Sequence, residues 1–180
     1  MRDTTDRPAG PRNPRKPRNR GSPKFRGFRG SSSGEVRRAT LGDFAAVRTL
    51  EQAAFQPYRQ ASLRSLRRSL TSKRQSVWVI DGDEGLDALL VLWHHPHRLR
   101  VYDVASHPDR HGQGLGNCMM QHAETLARKE GRDWVSLEAD PKEPRLVPWY
   151  KGQGYAIVGK PLPHYYHNGN AAVRMVKRVR

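Results

Sequence analysis

Between Val101 and Glu124 the chain passes from strand to glycine turn to helix with almost nothing in between. Val101-Tyr-Asp-Val-Ala-Ser106 has the composition of a strand, and Gly112, Gly114 and Gly116 alternate where a helix should begin. The helix that follows carries Leu115, Met119, His122, Ala123, Leu126 and Ala127 at helical spacing, and Glu130-Gly131 supplies a stop. Such a unit commits the fold to a sheet with helices packed on it. It also prepares an anion site. Without Cβ atoms in the way, backbone N–H groups at the turn can face outward, and the helix dipole adds partial positive charge.

Two familiar phosphate-binding patterns do not fit this turn. A P-loop would close on Gly-Lys-Ser/Thr, whereas Gly116 is followed by Asn117 and Cys118. A dinucleotide fingerprint begun at Gly112 or Gly114 would need its third glycine at Asn117 or Met119.

The remaining punctuation organises the chain from Glu35 onward. Glu35 to Ala39 reads as a strand. Thr40 or Asp43 can cap a helix with Phe44, Val47, Leu50 and Ala54 on one face, ended by Gln56-Pro57. A second helix, Ser62 to Thr71, is predicted with Leu63, Leu66 and Leu70 inward and Arg64, Arg67 and Arg68 outward. Ser76 to Ile80 and Leu86 to Trp93 form a hairpin around Asp81 to Gly85, and Leu99 to Ser106 is the strand that feeds the glycine turn. Trp134 to Ala139 and Val173 to Lys177 are further strands. The predicted order is β-α-α-β-β-β-α-β-α-β-β, an α/β sandwich.

Composition bounds the partners. Of 180 residues, the last 145 or so have the character of one globular domain. The formal net charge is +16, and residues 1–34 hold ten Lys/Arg against Asp3 and Asp6, so half of the surplus sits where almost nothing is apolar. That segment is expected to be a disordered basic Pro/Gly/Arg-rich tail. Lys24-Phe-Arg-Gly-Phe-Arg-Gly30 suits contact with RNA or a ribosome, the alternative being a solvated extension. No run approaches the ~20 apolar residues of a membrane span, and no secretory signal core is present, so a cytoplasmic location is expected. Cys118 is the single cysteine, expected inside the helix packing rather than as a nucleophile with His122. His94-His95-Pro-His97 reads as a loop between strands, and no metal site is expected.

His111-Gly-Gln-Gly-Leu-Gly116 resembles motif A of the GNAT N-acetyltransferase superfamily, with His where Gln or Arg is usual; Arg110 could restore the missing charge. Pro148-Trp-Tyr-Lys-Gly-Gln-Gly-Tyr155 resembles the second signature, with Tyr155 in place of Phe. Pro163-His-Tyr-Tyr-His-Asn-Gly-Asn before the last strand is similar to the branch that acetylates ribosomal-protein alanine, whose members modify protein N-termini. The resemblance spans roughly Glu35 to Val179. It implies the GNAT fold, a mixed and mostly antiparallel sheet flanked by helices. It also implies acetyl-CoA as acyl donor, held by His111, Gly112, Gln113, Gly114, Leu115 and Gly116 with Val104 and Ala105 at the end of the preceding strand.

Acetyl transfer from a thioester to an amine needs a base for the amine proton and a donor for the departing sulfur. By the same resemblance Glu138 is the base and Tyr150, twelve residues on, the acid. Tyr58, Tyr165 and Tyr166 would wall the acceptor. Five residues after the glutamate, Glu143 replaces a usual Asn, and its carboxylate is expected to turn away from the anionic donor. Three readings remain open on sequence: acetylation of a protein N-terminal amine, acetylation of a small amine, and a non-catalytic ribosome- or nucleic-acid-binding protein.

Overall fold

A computed structural model of the chain describes residues 34–180, so the basic segment lies outside the described residues except for Gly34. Its elements are β1 (Arg37–Arg38), α1 (Phe44–Ala54), α2 (Leu63–Thr71), β2 (Gln75–Gly82), β3 (Gly85–His94), β4 (Arg98–Ser106), α3 (Leu115–Lys129), β5 (Trp134–Ala139), α4 (Leu146–Gly152), β6 (Ala156–Leu162) and β7 (Ala172–Arg178). This is the order predicted from sequence. The seven strands form one open sheet, β1-β2-β3-β4-β5-β7-β6, in which only the β4–β5 pairing is parallel. Among the described residues no helix is long and apolar enough to cross a membrane.

Local chemistry sets the helix starts. The Thr40 N–H and hydroxyl both donate to the Asp43 carboxylate, at 2.7 and 3.0 Å, and Arg37 bridges Asp43 to Asp81, tying β1 and β2 to the entry of α1. Ser62 caps α2 by accepting the Ser65 N–H. Helices cover both faces of the sheet, so β3 is buried on both sides and reads as an unbroken apolar run from Ala88 to Leu92. Leu90 and Leu92 join Met119, Met120 and Ala123 of α3 in one cluster, while Leu89 and Val91 join Val47, Leu50 and Leu66 in the other.

Two expectations are corrected. Leu63 is 51% exposed, because it lies in the first turn of α2, short of the sheet. Ser69 is buried instead; its hydroxyl donates back to the Ser65 carbonyl, and its small side chain lets the helix approach the sheet. Cys118 is exposed, since the sheet-facing arc of α3 is filled by Met119, Met120, Ala123 and Ala127. His122 does not face it as a partner; it packs on the Trp78 ring at 4.2 Å. The His95 to His97 segment is the β3–β4 loop, as expected.

One irregularity positions the site. Beside β3, Val91 pairs with Asp103 and Leu92 with Val101, so Tyr102 is an extra residue bulged out of β4. On its other side β4 pairs with β5 only from Arg98–Trp134 to Arg100–Ser136. Beyond those three pairs the strands part. Leu90 is fully buried beside the start of this opening, and Leu90→Ala is expected to cost about 2–5 kcal/mol in urea-unfolding stability.

Candidate active site

Where β4 and β5 separate, a cleft of about 760 Å³ opens, with Asp103, Val104 and Ala105 on one wall and Leu137 and Glu138 on the other. Past Arg100 the cleft-facing edge of β4 has no strand partner, so its backbone N–H and C=O groups remain available to a ligand.

At one end of the cleft lies the glycine turn. Gly112 and Gly114 both have φ of +80°, and a Cβ at either would meet no protein atom. Glycine is required there by the backbone, and the space it leaves belongs to the cleft. The first backbone bond into α3 is from the Cys118 N–H to the Gly114 carbonyl, which leaves the N–H groups of Leu115, Gly116 and Asn117 without intrahelical acceptors. These are the donors a pyrophosphate needs, so the turn fits the coenzyme that the motif implies. His111, Gly112, Gly114, Leu115 and Gly116 line the cleft; Gln113 does not. Arg110 does, but it is shared with Asp87 at 3.3 Å and Asp83 at 3.6 Å, which offsets the charge expected of it. Trp149 of α4 packs over this turn: its Nε1–H donates to Asn117 Oδ1 at 2.9 Å, and a Cβ on Gly116 would fall 3.1 Å from the indole.

In the middle of the cleft stand Tyr150, Glu138 and Asp103. Tyr150 is buried, and burial, with Tyr166 nearby, pushes its phenol well above the usual range. Glu138 has a side chain only 5% exposed and both oxygens engaged: Arg100 Nε donates to Oε2 at 2.7 Å and Arg174 Nε to Oε1 at 3.1 Å. Among the described residues Asp103 has no such partner. Burial first, and then the Glu51 carboxylate of α1, raise its carboxyl to about 7 against the pull of Arg59 and Arg100. Glu51 is itself buried, raised by that burial, and accepts the Ala61 N–H.

The loops that carry the three tyrosines meet this centre through arginines. Tyr58 lines the cleft; Tyr165 and Tyr166 do not, and reach its surroundings only through Arg100 and Arg59. Arg100 donates to the Tyr165 hydroxyl at 2.6 Å and lies over the stacked rings of Trp93 and Tyr102. Arg59 lies over the rings of Phe55 and Tyr166. The Tyr-Tyr loop is held by Asn170, whose carbonyl accepts both tyrosine N–H groups and whose side chain donates to buried Asp140. Glu143 is exposed and borders the cleft.

Sequence reading missed Asp103, Arg59, Arg100 and Trp149. Asp103 stood inside the quoted strand, but its inward orientation depends on the bulge at Tyr102, which carries no local signature. Arg100 and Arg174 look like ordinary strand cations until topology sets them on either side of Glu138.

Comparison with known proteins agrees with this geometry. A family model for the acetyltransferase (GNAT) domain matches residues 73–157, from the entry of β2 into β6. Among solved structures, the ribosomal-protein-S18-alanine N-acetyltransferase from Escherichia coli superposes with a TM-score of 0.72 at 18% identity, over 81% of this chain and 93% of that one. The NatC complex bound to Gag peptide and CoA gives 0.68 at 18% identity, over 80% and 97%. The spermidine/spermine N-acetyltransferase from Vibrio cholerae gives 0.65 at 16% identity, over 81% and 92%. No curated protein sequence matches the chain. Residues 73–157 are thus matched as a GNAT acetyltransferase domain within a fold shared with these structures, and the chain is an enzyme of the N-acetyltransferase class.

The cradle can be tested alone. Gly114→Ala puts a side chain at positive φ, where strain costs on the order of 1 kcal/mol, and places a methyl where the turn is open. Calorimetry is expected to show coenzyme A binding about tenfold weaker or worse, with only a few degrees lost in Tm.

Proposed function

We propose that the protein transfers the acetyl group of acetyl-CoA to a primary amine, most directly the α-amine of a protein N-terminus. The observation that carries this reading is the single cleft that joins an anion-cradling turn to a buried phenol and two carboxylates. His111 to Gly116 would hold the pyrophosphate and the free edge at Val104 and Ala105 the arm that follows it. Bound there, acetyl-CoA supplies an activated acyl carbon.

The chain's own residues then divide the proton work. Asp103, with a carboxyl near 7, is matched to take a proton from an α-ammonium at neutral pH. Glu138 was the base implied by resemblance; with each oxygen already accepting from an arginine, we assign it instead to fixing Arg100 and, through it, Tyr165. Tyr150 keeps its proton throughout the working range and donates it to the departing sulfur. Asp103 takes one proton from the α-ammonium to free the attacking lone pair; as the C–N bond forms and the C–S bond breaks, Tyr150 gives its proton to the departing sulfur and is reprotonated by the second proton that leaves the nitrogen.

Tyr58, Tyr165 and Tyr166 favour an extended peptide, because aromatic walls with hydroxyls grip a chain end and its backbone. The E. coli and NatC structures, named for a protein alanine and a bound peptide, support this side of the reading. The cleft carboxylates Asp103 and Glu143 favour a second reading, a small polyamine acceptor as in the V. cholerae structure, and Arg59 and Arg145 in the same space oppose it. The basic segment 1–34 would bring the enzyme to RNA or the ribosome.

Thiol release with N-terminal peptides and with spermidine, followed from pH 5.5 to 9, tests the assignment. Deprotonation switches the base on, so log kcat/KM should rise with pH to a bend near 7 and then flatten. Asp103→Asn should remove the bend and at least about 10²-fold of rate; Glu138→Gln should keep the bend with a smaller loss; Tyr150→Phe should cost about 10²-fold. Loss of the bend in Glu138→Gln alone would return the base to Glu138, and turnover of spermidine alone would replace the acceptor. Separately, RNA binding by the full chain should weaken steeply with salt and disappear on deleting residues 1–34.

A further inference from the structure

Arg59 is a charged group of the cleft that the reaction does not use. It follows Tyr58 in the connection between α1 and α2, is half-buried, and lines the cleft. Its guanidinium is fixed by two aromatic faces, Phe55 at 5.6 Å on its own side and Tyr166 at 5.2 Å from the loop opposite. Yet among the described residues it forms no ion pair and no side-chain hydrogen bond. Among the other arginines, Arg100 is committed to Glu138, and Arg110 to Asp87 and Asp83; Arg145 also borders the cleft, but it is exposed at the entry of α4 and no ring among the described residues holds it. A guanidinium held over rings keeps its in-plane N–H donors free, and that fork matches a carboxylate in two-point geometry.

The signs in the cleft are also separated. Asp103 and Glu138 stand on the β4 and β5 walls where the amine must react, and the ring-held cation Arg59 comes from the connection between α1 and α2; the exposed pair Glu143 and Arg145 borders the cleft elsewhere, before α4. Arg59 is near enough for its charge to act on Asp103, Tyr150 and Tyr166 together. An acceptor complementary to this arrangement carries an ammonium and, close to it, a carboxylate.

We infer that Arg59 selects the acceptor by binding a carboxylate next to the reacting amine, so that the favoured substrate is a peptide N-terminus with Asp or Glu as its second residue. The inference rests on the amine-acetyltransferase reading above and adds the acceptor's charge to it. The recognising chemistry is a carboxylate beside an amine. It has two sources, an acidic side chain in a peptide or the α-carboxylate of a free amino acid, and the test contains both.

Rates of acetyl transfer at saturating acetyl-CoA are compared for peptides identical except for Asp, Gln or Lys at the second position. Free alanine is compared with alanine amide in parallel. The full chain is assayed with Arg59 intact and as Arg59→Gln, Arg59→Lys and Arg59→Glu. With Arg59 present, kcat/KM for the Asp peptide should exceed that for the Lys peptide by about tenfold or more, the scale of one well-placed charge pair. Arg59→Gln should bring the ratio to within about threefold of unity, Arg59→Glu should invert it, and Arg59→Lys should retain part of it. Each ratio is read within one protein, so a loss of folded enzyme cancels. A ratio unchanged in Arg59→Gln, or no preference in the parent chain, overturns the inference while leaving the acetyltransferase reading intact. Transfer to alanine but not its amide, abolished by Arg59→Gln and with no peptide turned over, would uphold the carboxylate role and remove the peptide acceptor. No transfer to any of these amines overturns both.

Discussion

Strands β4 and β5 stay paired for three residue pairs and then separate, and nearly everything functional in this molecule lies where they do. A sheet closed by hydrogen bonds from edge to edge would have no interior space and no free backbone groups. By opening between two buried strands, the fold obtains a cleft with rigid walls and a strand edge able to bond a ligand, while each strand keeps its partner on the other side. The bulge at Tyr102 belongs to the same event: it turns the next residues of β4 so that an acid, rather than another apolar side chain, meets the cleft.

Electrostatics inside the opening are arranged through Arg100. One guanidinium receives Glu138 from β5 and Tyr165 from the last loop, and covers the stacked pair of Trp93 and Tyr102. It therefore joins β3, β4, β5 and the β6–β7 loop at a single charge. The group left outside these bonds, Asp103, is the one whose proton affinity is moved toward neutrality, by burial and by a second buried acid on α1. An arginine-paired acid and an unpaired one thus share a small space, which suits the separate tasks proposed for them.

The order of elements was readable from sequence because each is marked by strong local signals: glycine turns, the Thr40–Asp43 cap, apolar periodicity and the stop at Gly131. Leu63 was misplaced because periodicity gives a face but not how far along a helix that face meets the sheet, and Cys118 because it lies outside the arc that the apolar period of α3 marks. The glycine turn and Tyr150 could be found because backbone chemistry and motif order survive in one dimension. The partners of Glu138 could not, since Arg100 and Arg174 are separated from it by 38 and 36 residues and meet it only through strand register. Asp103 was hidden for the same reason.

Trp149 ties the two ends of this arrangement together. Its indole is pinned to Asn117 and rests on Gly116, and the next residue along the short helix α4 is the phenol. Whatever settles on the glycine turn thus presses against the support of Tyr150, and whatever fixes Tyr150 steadies the turn in return. The expected result is an ordered kinetic scheme, in which the donor enters first and completes the seat that the amine occupies.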